Sequence, residues 1–212
     1  MHIPDGILPL PVTLGGYAAF AVAVFFCLHR IKKRPDPAAD IPKAALLTSA
    51  FFVASLIHIP IPPASVHLML SGLLGVLLGF FAVPAILIGL FFQAAMFGHG
   101  GLTTLGINGV IIGFPAMAAH YIFRLGTRGQ NGPKQTATFA FLAGALAIML
   151  SVLLFALLLV TAVPADMGAA VEKTAMLVII AAHVPLALVE GVITAMTAVF
   201  LLRVSPRVLH GV

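Results

Sequence analysis

Charged residues are scarce in this 212-residue sequence, at 8% against 61% hydrophobic residues. A soluble domain carries roughly 25% charged residues, so this chain cannot cover a water-facing surface of its size. The single cysteine, Cys27, excludes an internal disulfide and a metal site built from several thiolates. No Gly-x-x-x-x-Gly-Lys-Ser/Thr phosphate loop and no His-Glu-x-x-His pair occurs, which argues against ATP hydrolysis by this chain and against a metalloprotease.

Long apolar runs are what the sequence has instead. Each is close to the roughly 20 residues that cross a bilayer as a helix. They predict an all-α polytopic membrane bundle of about seven transmembrane helices, in a single membrane domain over 1–212. Residues 1–11 then form an extracytoplasmic segment and 12–203 the bundle. The predicted spans are 12–28, 44–57, 66–81, 84–97, 105–123, 138–160 and 174–202.

The basic residues predict the orientation. Lys and Arg accumulate in the cytoplasmic loops of membrane proteins. With the N-terminus outside and the C-terminus in the cytoplasm, ten of the eleven basic residues fall inside and only Lys173 falls outside. They form short clusters between apolar runs and no stripe, so nucleic acid is not an expected partner. Residues 1–10 contain no Lys or Arg, unlike a signal peptide. They should therefore remain uncleaved and reach the outer face of a prokaryotic inner membrane.

The N-terminal sequence Met-His-Ile-Pro-Asp-Gly predicts a metal chelate. The large side chain of His2 should prevent removal of Met1, which then carries the α-amine. This amine, the His2 backbone nitrogen and the His2 Nδ1 can close two fused rings, leaving one corner of a plane open. Nickel and copper favour such square-planar nitrogen sites, whereas Zn²⁺ prefers a tetrahedron. The alternative is that His2 is an ordinary exposed terminal residue.

A second histidine is expected on the same membrane face. His67 lies at the outer mouth of the third predicted span, where it can supply the fourth nitrogen or be an ordinary interfacial residue. In the outer loop before and into the fifth span, His99 and Asn108 are candidates for supporting positions. Metal-bound imidazoles usually donate their second N–H to such a partner. A buried packing network is the competing interpretation for both.

The seventh span carries an ionisable pair, His183 and Glu190, two helical turns apart on one face. Ionisable residues inside a membrane are functional suspects. A proton relay in a stand-alone, proton-coupled metal transporter is one interpretation, and packing inside the bundle is the other. A membrane scaffold without metal affinity is a third alternative for the whole chain.

Three separated motifs together resemble the CbiM/NikM family, the substrate-binding membrane subunits of energy-coupling factor transporters for cobalt and nickel. They are Met-His-Ile-Pro-Asp-Gly at the N-terminus, Ser-Val-His-Leu-Met-Leu-Ser-Gly-Leu-Leu-Gly around His67, and His-Gly-Gly-Leu-Thr-Thr-Leu-Gly-Ile-Asn from His99 to Asn108. The resemblance extends from Met1 to the end of the seventh span.

The resemblance implies one helix added before a six-helix core, with the metal held by Met1, His2 and a histidine at the start of the third helix, here His67. It implies that Ni²⁺ or Co²⁺ is bound as substrate, with no cofactor and no enzymatic activity of the chain itself. It also implies a transmembrane coupling subunit, ATPase subunits and a small accessory membrane subunit, within the lipid bilayer. The Pro-Asp-Gly ending of the first motif is frequent in nickel members and favours nickel over cobalt.

Overall fold

A computed structural model describes residues 2–61, 64–129, 132–162 and 169–210. Helices dominate it. They are α1 (Leu10–Lys32), α2 (Ile41–Leu56), α3 (Ser71–Leu78), α4 (Ala82–Phe97), α5 (Leu105–Gly126), α6 (Pro133–Ala162), α7 (Ala169–Val204) and the short α8 (Pro206–His210), with single 3-10 turns at Ala38–Asp40 and Gly79–Phe81.

The helical runs confirm a polytopic all-α membrane protein. Six of them, within the part of the chain described, are long and apolar enough to cross a bilayer. Large apolar side chains lie exposed along them, among them Phe25 and Leu157, as expected of surfaces that face lipid rather than water. The six runs are Leu10–Lys32, Ala38–Leu56, Ser71–Phe97, Leu105–Gly126, Pro133–Ala162 and Met176–Val204.

The third run, Ser71–Phe97, reverses direction in its middle. As one straight helix its 27 residues would extend about 40 Å. Yet the rings of His67 and His99, which flank the run, have centroids only 5.2 Å apart. The reversal occurs where Gly79 adopts a positive φ of 56°, and there the Phe80 ring lies under the Arg30 guanidinium at the end of α1. The run is therefore a helical hairpin, with α3 and α4 antiparallel.

The prediction that a helix begins at His67 is wrong. His67 ends a β-strand (β2, Ala64–His67), which pairs antiparallel with β1 (His58–Ile61) in the register His58↔His67. Prolines favour extended backbone in the residue before them, and the prolines at 60, 62 and 63 bias this stretch away from helix. Helix α3 starts only at Ser71, after Leu70 in a left-handed conformation (φ 49°). Within the described residues, this β-hairpin is the one pair of strands in an otherwise helical set of elements.

Small residues bring α3 into the centre of the bundle. Every residue of α3 is buried. A Cβ at Gly72 would lie 2.5 Å from the Gly144 Cα on α6, and one at Gly75 would lie 2.0 Å from the Ala116 carbonyl oxygen on α5. Glycine at these two positions thus allows close helix packing. It also fixes the depth of the segment that carries His67.

Candidate metal centre

Three imidazoles from distant parts of the chain meet at one end of the bundle. His2 precedes α1, His67 ends β2 and His99 follows α4. One potential ligand atom from each lies within 4.8 Å of those of the other two. The His2 ring centroid is 5.0 Å from that of His67 and 4.2 Å from that of His99. His99, expected in a supporting position, is therefore as close to the cluster as the two expected ligands.

The His67 ring is buried, with 3% of the residue exposed. Its Nδ1 lies 3.3 Å from the Leu68 carbonyl oxygen. In the tautomer that carries a hydrogen on Nδ1, this nitrogen donates to the carbonyl and leaves the Nε2 lone pair for an ion. A backbone carbonyl on the second ring nitrogen is the usual way to orient a metal-bound imidazole.

Asn108 holds the N-terminal segment through the backbone of Ile3. The Ile3 N–H donates to Asn108 Oδ1 at 2.9 Å, and Asn108 Nδ2 donates back to the Ile3 carbonyl at 3.0 Å. Thr104 Oγ1 donates to the same carbonyl at 2.6 Å. Asn108, a candidate for a supporting position, thus binds the residue next to His2 in the N-terminal segment 2–6, which we call the tip. Met1, whose amine is a further predicted ligand, lies outside the described residues.

Asp5 makes a further attachment that the sequence analysis did not identify. Its carboxylate accepts from the Thr103 N–H at 2.8 Å, from Thr103 Oγ1 and from the Leu102 N–H at 3.2 Å. These hydrogen bonds, above all that from the Thr103 hydroxyl, lower the pKa of Asp5 below its usual value of 3.8. The available signal was an acidic residue in the tip and a Thr-Thr pair before α5, because helix N-termini stabilise carboxylates.

Glycine makes room for this attachment. A Cβ at Gly101 would lie 2.1 Å from an Asp5 carboxylate oxygen and 2.7 Å from the Asp5 backbone nitrogen. No L side chain fits there without displacing the tip. Gly101, the second glycine of the motif that begins at His99, thus leaves the space that Asp5 occupies.

His183 and Glu190 are both buried, at 2% and 1% exposed, but each has its own backbone partner. His183 Nδ1 lies 2.7 Å from the Ile179 carbonyl oxygen one turn back on α7. Glu190 Oε1 accepts from the Met69 N–H, just before α3. The two side chains therefore engage different segments and form no relay through these bonds.

The cluster has the chemistry of a site for a late first-row divalent ion. Imidazole nitrogens suit nickel, cobalt, copper and zinc, whereas Mg²⁺ and Ca²⁺ prefer oxygen ligands. The Asp5 carboxylate, the nearest anionic group of the tip, is turned toward Leu102 and Thr103 instead. The arrangement is thus a nitrogen site closed by a docked N-terminal segment.

Comparison with known proteins agrees with this chemistry. Residues 2–208 match the family model CbiM, described as a cobalt uptake substrate-specific transmembrane region. A putative metal transport protein of Haemophilus influenzae is 30% identical over 210 residues, covering 99% of this chain and 97% of that protein. A fused nickel transport protein, NikMN, of Rhodobacter capsulatus is 37% identical over 149 residues, covering 68% of this chain and 42% of that protein.

The fold has also been solved. A crystal structure described as a truncated transition metal transporter superposes with a TM-score of 0.76 at 25% identity, covering 96% of this chain and 99% of the other. The likeness therefore extends over the bundle as a whole.

Proposed function

This chain belongs to the CbiM family of metal-uptake membrane proteins, and we propose that it captures Ni²⁺, with Co²⁺ as the other ion accepted, as the substrate-binding subunit of an ATP-driven transporter. The observation that carries the proposal is the convergence of His2, His67 and His99 at one end of the bundle. His2 and His67 are the two histidines that the sequence predicted as ligands. One ring nitrogen of each of the three imidazoles lies within 4.8 Å of those of the other two, close enough to share one ion.

The proposed ligands are the α-amine of Met1, the backbone nitrogen and Nδ1 of His2, and Nε2 of His67. Four nitrogens in a plane suit Ni²⁺ better than Zn²⁺. Support for the assignment of His2 comes from its neighbour, since Asn108 holds the Ile3 backbone and so fixes the direction from which His2 enters the cluster. His99 and Asn108 take supporting positions, His99 against the His2 ring and Asn108 under the tip.

We assign the cluster to the extracytoplasmic face, with the N-terminus outside and the C-terminus in the cytoplasm. The basic residues support this orientation. Because α3 and α4 are antiparallel, the third of the six apolar runs contains two membrane segments. This supports a count of seven membrane helices. Arg30, at the opposite end of α1 from the cluster, then faces the cytoplasm beside Phe80.

The proposed partners are a transmembrane coupling subunit, ATPase subunits and a small accessory membrane subunit. This chain has no phosphate loop, so ATP must be hydrolysed elsewhere. Support for an additional component comes from the nickel relative, a fused protein of which this chain covers only 42%. Nickel rather than cobalt is favoured by the nitrogen chelate and by the Pro-Asp-Gly ending of the N-terminal motif.

The proposal is tested on protein purified with Met1 as its first residue. We expect one tightly bound Ni²⁺ per chain, yellow and diamagnetic, because a planar field of four nitrogens pairs the nickel electrons. Replacement of His29, at the other end of α1, by Ala is the control and should change nothing. Pale-green, paramagnetic nickel would refute the planar site, and absence of tight nickel and cobalt binding would refute metal capture.

A further inference from the structure

Glu190 carries a buried carboxyl group that accepts a hydrogen bond from the backbone of a distant segment. It lies on α7 with 1% of the residue exposed, and its Oε1 accepts from the Met69 N–H. Burying a carboxyl group in a membrane protein costs free energy unless its hydrogen bonds are provided, so this placement calls for a purpose beyond packing.

The backbone that Glu190 binds is the connection between β2 and α3, residues 68–70, which we term the strap. His67 immediately precedes it. Met69 is 1% exposed and Leu70 8% exposed, so water does not replace a lost partner there. Leu70 has a positive φ of 49°, alone among the described non-glycine residues. Such a conformation persists only when its surroundings hold it.

The position of Glu190 is itself fixed by α6 and α7. Thr194 Oγ1 donates to the Glu190 carbonyl at 2.7 Å. A Cβ at Gly144 would lie 2.9 Å from that carbonyl oxygen and 2.7 Å from Thr194 Oγ1, so α6 touches α7 at this turn. The carboxyl group is therefore a rigid point on the bundle to which the strap is attached.

We infer that Glu190 is a positioning residue for the metal centre, which sets the place of the His67 imidazole by holding the Met69 N–H. This inference rests on the proposed function, in which His67 is a ligand. Without the acceptor, the buried Met69 N–H has to find another partner, the strap relaxes and the imidazole leaves its corner of the plane. Glu190 thus does for His67 what Asn108 does for His2, from a different helix.

The test replaces Glu190 by Gln and by Leu, both of similar length. Glu190→Gln keeps an oxygen acceptor and should bind Ni²⁺ within about threefold of the unmodified chain. Glu190→Leu removes the acceptor and should weaken binding by about 10- to 100-fold, the range for lost supporting contacts at metal sites, with a displaced nickel absorption band. Affinity is measured by competition with a chromophoric chelator in detergent.

Thr197→Val is the matched control further along α7. It loses a hydrogen bond of the same kind, to the Ile193 carbonyl at 2.8 Å, but leaves Glu190 and its neighbours in place, so we expect unchanged affinity and spectrum. If Glu190→Leu does not fold, Glu190→Asp decides, since it keeps a carboxyl group but draws the acceptor back by one methylene. It should bind less tightly than Glu190→Gln.

Unchanged affinity and spectrum in Glu190→Leu, or in Glu190→Asp where that variant decides, would overturn the inference. So would a Glu190→Gln variant as weak as Glu190→Leu, because charge rather than the acceptor would then matter. His67→Ala separates the two proposals. If His67→Ala binds nickel as the unmodified chain does, the proposed ligand set fails. If His67→Ala weakens nickel binding and the Glu190 variants do not, the ligand set stands and only the role of Glu190 is excluded.

Discussion

Asn108 and Ile3, 105 positions apart, exchange two hydrogen bonds of 2.9 and 3.0 Å. The side-chain amide of Asn108 gives the Ile3 backbone both a donor and an acceptor, as a neighbouring β-strand does. Asn108 is 2% exposed and Ile3 1% exposed. The segment that carries His2 is therefore attached to α5 by bonds that water does not compete for.

Replacing Asn108 by the similarly shaped Leu should weaken nickel binding by about 10- to 100-fold. Both bonds to Ile3 are lost, and the Ile3 N–H loses its acceptor. Asn108→Asp should be weak as well, because a carboxylate would face the Ile3 carbonyl oxygen. Ser55→Ala, which removes a buried 2.5 Å bond from Gln93 between α2 and α4, is the control. Calorimetric titration with Ni²⁺ measures each variant, and full affinity in Asn108→Leu would contradict the prediction.

One Gly residue added before Met1 should abolish tight nickel binding. The added residue turns the Met1 amine into an amide, which is a far poorer ligand, and moves the new amine away from His2. One Gly added after Val212 is the control and should leave the affinity unchanged. Equal nickel affinity of both extended chains would exclude the Met1 amine as a ligand.

His67→Ala and His99→Ala should differ. His67→Ala vacates the fourth corner of the plane for water and should cost at least the 10- to 100-fold typical of a lost supporting contact. His99→Ala should cost less and leave the nickel diamagnetic, since His99 lies against the His2 ring outside the proposed plane. Titration and magnetic susceptibility of the two variants decide, and the reverse order of effects would make His99 the fourth ligand.

Nickel affinity should fall steeply between about pH 8 and pH 6. The amine, with a reference pKa near 8, and the imidazoles, near 6.5, must be free of protons to bind the ion. Displacing the His2 amide proton adds a further proton released on binding. Calorimetry in buffers of different ionisation enthalpy counts the protons, and a pH-independent affinity with no proton release would contradict a nitrogen-only site.

Asp5 should not contribute to that loss. Its hydrogen bonds hold its pKa below 3.8, so the carboxylate stabilises the docked tip at every pH above its usual pKa. This stabilisation disappears only as the pH falls through the lowered value. Asp5→Asn should therefore lower nickel affinity by a similar factor at pH 6 and pH 8, because the carboxylate is ionised at both. The factor should be modest, because the residue is exposed. A pH-dependent ratio of the two affinities would contradict this assignment.

Residues of the candidate cluster could be singled out from the sequence, whereas part of the backbone that brings them together could not. His2, His67 and Asn108 were recognisable because their types and motifs point to nitrogen coordination and to its support. The β-hairpin before α3 was not recognisable, since a short apolar stretch does not by itself distinguish a strand from a helix. A reversal was expected between the predicted spans 66–81 and 84–97, and it lies at Gly79. The contact of Glu190 with Met69 spans 121 positions and depends on close packing at Gly144. Asp5 was missed because two of its three hydrogen bonds come from backbone N–H groups, those of Leu102 and Thr103, which the sequence does not distinguish.

In the proposed site the N-terminal segment both supplies ligands and covers the ion, and this has a kinetic consequence. An ion can be fully coordinated only once residues 2–5 have settled on Asn108, Thr104 and Thr103. Association that includes such a rearrangement is slower than diffusional encounter. The observed association rate should thus level off at high nickel concentration, at the rate at which the tip docks. Dissociation of the ion requires the same motion in reverse. Stronger hydrogen bonds between the N-terminal segment and residues 103–108 should therefore lengthen the residence time of the ion.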